Sequence, residues 1–203
     1  MEKNEDINNI DNAFSELVKK GNIQQKKILF FPLCDTEKEA KYAIGYLSKK
    51  IDKTIGELIW QPEYDKVVKW MTNPTKGLLM TGDPGRLKTT IAKILIVLYK
   101  KRYDFNLRLI DSDKIEQEDN QNYINTAPVI LIDDVGEEPV ASDFGIKYEV
   151  FPKLVDFCEK KSKLLILTTN QNSINLKARY GTRPIDRLDL LCHPIKFEGK
   201  SFR

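Results

Sequence analysis

Residues 77–90 read GLLMTGDPGRLKTT. A short apolar run closes on Gly82, Gly85 follows, and Lys88, Thr89 and Thr90 come after a six-residue step. This is the layout of a phosphate-binding loop: strand, glycine-bearing turn, Lys-Thr, helix. Successive backbone N–H groups in such a loop point inward and cradle phosphate oxygens, helped by the dipole of the following helix. Gly82, Asp83, Pro84, Gly85, Arg86, Leu87, Lys88, Thr89 and Thr90 form the candidate ATP-binding set. Lys88 is expected along the β- and γ-phosphates, with the Thr89 hydroxyl on Mg²⁺. One position departs from the pattern, which places glycine immediately before the lysine; here it is Leu87. A branched side chain there leaves three outcomes. The loop accommodates it with the side chain turned outward, nucleotide binds weakly, or the protein is a scaffold that does not hydrolyse.

Downstream of this loop, apolar runs alternate with helical patterns. Runs at 77–81, 106–111, 128–133, 163–169 and 194–199 read as strands, with helices over 89–101, 112–122, 147–161, 173–179 and 184–191. Strands that are apolar throughout, separated by helices, imply a mostly parallel sheet in a three-layer α/β fold. Upstream the pattern differs. Ile7, Ile10, Phe14, Leu17 and Val18 have helical spacing, 36–49 reads as a second helix, and 62–72 as a third with Pro62 in its first turn. The chain therefore divides into a mainly helical extension, 1–60, and a nucleotide-binding core, 61–203. The apolar stripe of the first helix either packs on its own core or grips a partner.

The second chemical signal is the run from Val129 to Asp134, a buried strand delivering two acids at its C-terminal end, where open α/β sheets bind ligands. Asp133 is assigned to Mg²⁺ and Asp134 to the activation of water. Asn170, closing the next strand, is a candidate to orient that water; an Asn opening a turn is the alternative. Arg183 and Arg187 are four apart and share a helix face. One of them offered to a neighbouring subunit's γ-phosphate would act as an arginine finger, whereas surface ion pairing is the ordinary role of such residues. The catalytic candidates are thus Lys88, Asp134, Asn170, Arg183 and Arg187, and the metal candidates Thr89 and Asp133.

Composition narrows the rest. The 203 residues carry 33 basic and 30 acidic side chains, a net charge of +3 that implies no nucleic-acid binding by itself. Three cysteines and one histidine lack metal-site spacing and predict free thiols in a reducing compartment. The polar, acidic start is no signal peptide, and the apolar helix near 91–99 is too short for a bilayer and contains Lys93. A cytoplasmic protein without a membrane partner is expected.

Taken together, GDPGRLKTT, LIDDVGEEP, LTTN, RYGTRPIDRL and the closing FEGKSFR resemble the DnaC/IstB group of AAA+ ATPases, replicative-helicase loaders and transposition helpers. The resemblance spans about residues 61–203. It implies a P-loop NTPase core with a five-stranded parallel sheet in the order 5-1-4-3-2, lacking a helical lid because the chain stops at Arg203. It also implies ATP/ADP and Mg²⁺ as ligands, a DnaB-like replicative helicase and single-stranded DNA as partners, and self-association through a trans arginine finger. In that family the second arginine of the pair is the finger, which maps to Arg187, with Arg183 supporting it. The expected activity is Mg-dependent ATP hydrolysis in helicase loading; a transposition helper and a nucleotide-gated adaptor are the alternatives.

Overall fold

The computed structural model describes Ser15, Glu16, Lys19 and residues 30–138, 141–143 and 146–201. The first helical stripe, Ile7 to Val18, lies outside the described residues. In chain order the elements are α1 (Glu37–Ile51), α2 (Pro62–Thr72), β1 (Gly77–Gly82), α3 (Lys88–Tyr103), β2 (Leu109–Asp111), α4 (Glu118–Thr126), β3 (Val129–Asp133), β4 (Ala141–Asp143), β5 (Ile146–Tyr148), α5 (Val150–Lys161), β6 (Leu164–Thr169), α6 (Ser173–Tyr180), α7 (Thr182–Leu191) and β7 (Cys192–Phe197).

Five strands form one parallel sheet in the order β2-β3-β6-β1-β7. Counting only these five, that is the expected 5-1-4-3-2 order read from the other edge. The two-residue alternation of a strand explains why the runs are apolar throughout. Leu78, Met80, Leu131 and Ile166 point into one hydrophobic cluster, while Leu79, Ile130, Ile132, Leu165 and Leu167 point into another. The first cluster is completed by α1, α2 and α3, the second by α4, α5, α6 and α7. Three layers follow directly.

Residues ahead of the core join the first cluster. Leu33, Cys34, Ala40, Ala43, Ile44 and Ile55 are buried in it. The backbone N–H of Leu33 donates to the Met71 carbonyl at 2.7 Å, and the Tyr103 hydroxyl donates to the Pro32 carbonyl at 2.6 Å. Helix α1 starts where Thr36 accepts a hydrogen bond from the Glu39 N–H at 3.2 Å and Glu39 reaches back to the Asp35 N–H at 3.0 Å, a capping-box variant.

Three elements differ from the sequence expectation. The helix expected over 112–122 is a 3-10 turn at Ser112–Lys114 followed by α4, which runs from Glu118 to Thr126. The run at 106–111 forms a strand only over Leu109–Asp111, the edge of the sheet. Residues 141–143 and 146–148 pair as the antiparallel strands β4 and β5 between β3 and α5, so the following helix begins at Val150. The three cysteines are free, and all three are buried. Among the described residues no helix is long and apolar enough to cross a membrane.

Candidate nucleotide site

Strands β1, β3 and β6 are adjacent in the sheet, so their C-terminal ends converge. The loop after β1, the acids ending β3 and the Asn after β6 meet there around a cavity of about 120 Å³. It is lined by Pro84 to Thr89, Asp134 and Asn170. Whole-ligand sites usually hold several hundred Å³, so this space suits a phosphate chain rather than an entire nucleotide.

The loop geometry fits phosphates. Gly82 and Gly85 have φ of 117° and 72°, which L-residues rarely adopt. A Cβ on Gly82 would stand 2.1 Å from the Phe197 carbonyl oxygen of the neighbouring strand, so only glycine fits. Lys88 opens α3 and points back across the loop. Its Nζ donates to the carbonyls of Gly82 at 2.7 Å and Asp83 at 2.8 Å, and to Asn170 Oδ1 at 2.9 Å. Burial holds its pKa below the usual lysine value, against the opposing pull of Asp134 and Asp83.

Asp133 and Asp134 separate in role because of the strand pleat. Asp133 is buried and accepts from the Thr89 hydroxyl at 3.0 Å and from the Thr168 hydroxyl. Asp134 is exposed, with a left-handed φ of 54° that turns it out of the strand. Its carboxylate accepts from Asn170 Nδ2 at 3.4 Å. Although the side chain is exposed, its partial desolvation at the cleft and then the charge of Asp133 push the Asp134 carboxyl above its ordinary range. Asn170 is not a helix cap: the cap of α6 is Asn172, whose side chain accepts from the Asn175 N–H at 2.9 Å. Asn170 instead joins Lys88 to Asp134.

Leu87 adopts φ 71°, the left-handed torsion that glycine would take. Its side chain does not turn to solvent; it is 3% exposed and belongs to the first hydrophobic cluster. The Arg86 guanidinium leaves the cavity as well. It pairs with buried Glu63 and donates to Gln61 Oε1 at 3.1 Å and the Lys200 carbonyl at 3.2 Å.

Arg183 and Arg187 stand apart from this cluster. Arg183 is exposed on α7. Arg187 pairs with Asp156 and Glu159 of α5, the latter at 3.5 Å.

Three features escaped sequence reasoning. Thr168 receives the Asp134 N–H at 3.0 Å while donating to Asp133, so it fixes both acids; a polar pair ending an apolar strand was the available signal. Arg179 holds the Gly136 and Glu138 carbonyls and Glu149, and the Tyr180 hydroxyl donates to Glu138, which pins the loop after β3. The segment after β7 lies against the phosphate loop: the Gly199 N–H donates to Asp83 Oδ2 at 2.8 Å, and Ser201 faces Gly85. Nothing in the residue types announced the last contact.

For Mg²⁺ the donor chemistry fits, since a hydroxyl and a carboxylate already in contact are oxygen ligands of the kind the ion takes beside phosphates. They do not form a three-carboxylate cage, and no cluster of three or more ligating side chains occurs among the described residues.

A family model described as Novel STAND NTPase 3 matches residues 60–195. No curated protein sequence matches the chain. Among solved structures, one described as the DnaC helicase loader is 18% identical, with a TM-score of 0.58, covering 70% of this chain and 93% of that one. One described as DnaI is 18% identical, with a TM-score of 0.52, covering 70% and 88%. At that identity the likeness shows a shared fold, the AAA+ type of P-loop NTPase.

Proposed function

The chain belongs to the Novel STAND NTPase 3 family, and from that premise we propose that it binds and hydrolyses ATP at the loop spanning 82–90, acting in DNA replication as a loader of a replicative helicase onto single-stranded DNA. The observation that carries the nucleotide part is the meeting of Lys88, Asn170 and Asp134 around one cavity, beside the Thr89–Asp133 pair. The likeness to the DnaC helicase-loader structure supports the replication part at the level of fold.

In this reading the loop N–H groups bind the phosphates, and Lys88 exchanges its carbonyl partners for phosphate oxygens. Thr89 and Asp133 would hold Mg²⁺, which supplies neutralisation of phosphate charge when bound. Asp134 accepts a proton from the attacking water, a task suited to a carboxylate whose proton affinity is raised. Asn170 orients that water while bridging Lys88 and Asp134. Arg187 of a neighbouring subunit would reach the γ-phosphate, after release from Asp156 and Glu159. Within the 1–60 extension, the apolar stripe of Ile7, Ile10, Phe14 and Val18 would grip the helicase.

Steady-state Mg-ATP turnover tests the reaction. Asp134→Asn is expected to lower kcat by two to four orders of magnitude, roughly the range for loss of a general base. Unchanged turnover would remove Asp134 from the mechanism. A second reading, a nucleotide-gated adaptor with little hydrolysis, draws on the Arg187 ion pairs, which occupy the arginine within its own chain. Turnover that stays at the Asp134→Asn level in the native protein, with ATP still bound, would favour it.

A further inference from the structure

Helix α1 carries an exposed aromatic pair that its packing does not explain. Tyr42 and Tyr46 are 70% and 50% exposed, with ring centroids 5.8 Å apart and planes within 6° of parallel. Lys50 lies over the Tyr46 ring at 5.6 Å. Beside the rings runs an open groove of about 660 Å³, lined by Tyr42, Gly45, Tyr46, Lys49, Lys50 and Lys53, with no acid among them. The opposite face of the helix, through Ala40, Ala43 and Ile44, is the one buried in the core.

Two structural explanations fall short. Lysines in the last turn favour the helix dipole, and an i,i+4 aromatic pair supports a helix slightly. Neither requires large rings to stand in solvent. Gly45 points the same way. A mid-helix glycine lowers helix stability, and here no atom comes within 4 Å of where its Cβ would be, so packing does not demand it. Its effect is to leave the groove floor open between the rings and Lys49.

We propose that this face of α1 is a binding platform for single-stranded DNA, with one base stacked on the outer face of Tyr42, continuing the Tyr42–Tyr46 stack, and the backbone phosphates on Lys49, Lys50 and Lys53. Flat aromatic faces accept any base, and a row of lysines follows a phosphate chain without reading sequence. Charge complementarity selects a polyanion, and parallel exposed rings select one whose bases are unpaired. The choice of DNA over RNA rests on the replication reading above; the platform itself rests on the helix. Its position suits coupling to nucleotide, because the end of α1, at Ile51, Asp52 and Thr54, shares a surface pocket with Thr89, Thr90 and Lys93.

The test is fluorescence-anisotropy titration of labelled oligothymidylate on the full chain, with ATP binding measured on the same samples. Tyr42→Ala/Tyr46→Ala is expected to weaken oligothymidylate binding at least about tenfold, while the double Phe variant retains it, because stacking needs the ring and not the hydroxyl. Replacing Lys49, Lys50 and Lys53 with Gln should flatten the log–log salt slope by about 2, the value for three phosphate contacts on a single strand. ATP affinity should be unchanged in all of them. Oligothymidylate binding that survives both sets of substitutions overturns the platform and leaves the ATPase reading intact. Tighter binding of duplex DNA, oligouridylate or an acidic peptide overturns it too. Absence of both DNA and ATP binding in the native protein overturns the platform and the functional reading together.

Discussion

Leu87 is the residue on which the loop's chemistry turns, and two opposing magnitudes decide its effect. A left-handed torsion costs a non-glycine residue about 1–2 kcal/mol. Removing a buried leucine side chain costs about 3–5 kcal/mol, and Leu87 is buried. Burial therefore outweighs strain. Leu87→Gly is expected to lower unfolding stability by about 1–4 kcal/mol in denaturant titration, the difference of those two figures. A more stable Leu87→Gly protein would mean that the side chain contributes no packing. Asp134 gives the converse signature. Its carboxyl is held above its ordinary pKa by partial desolvation at the cleft and by Asp133. The folded chain thus binds that proton more tightly than the unfolded chain does, so ionisation destabilises the fold at pH values above the unfolded pKa. Asp134→Asn should be at least as stable as the native protein at neutral pH while losing turnover. In native protein the acid limb of turnover should fall at a pH above the ordinary Asp range, because the base works only when deprotonated.

Among the secondary structures, the strands were legible because β3 and β6 are buried on both faces and hence apolar throughout. Lys88, Thr89, Asp133, Asp134 and Asn170 were legible because parallel strands deliver their last residues to one edge. What sequence could not give was contact between remote segments. Gln61 and Glu63 at the start of α2 hold Arg86, and the stretch after β7 closes over Asp83 and Gly85. Those partners are separated by many residues and announced by no periodicity. Arg183 and Arg187 were legible as a helical pair, yet the partners of Arg187 on α5 follow only from how α5 and α7 pack. Glu63→Ala should be severe, costing about 3–5 kcal/mol, because it leaves the Arg86 charge buried without its carboxylate. Circular-dichroism melting checks this; a melting temperature within a degree or two of native would show that water replaces Glu63.

The assembled chain places the loop at 82–90, two acids and a polar Asn at one end of a parallel sheet, while α1 packs its apolar face on the helix that the loop opens. If Arg187 acts across a subunit boundary, mixing Lys88→Ala and Arg187→Ala proteins should restore part of the turnover that each lacks, since one interface would then be intact. No restoration would confine Arg187 to its pairs on α5. The central claim is narrower: residues 82–90, Asp133, Asp134 and Asn170 form one nucleotide site. It is tested most directly by titrating fluorescent ATP against the native chain and Lys88→Ala. Loss of a charge-assisted bond of about 1.5–3 kcal/mol predicts that Lys88→Ala binds at least about tenfold more weakly. Equal affinity in the two proteins, or none in the native chain, would contradict the assignment.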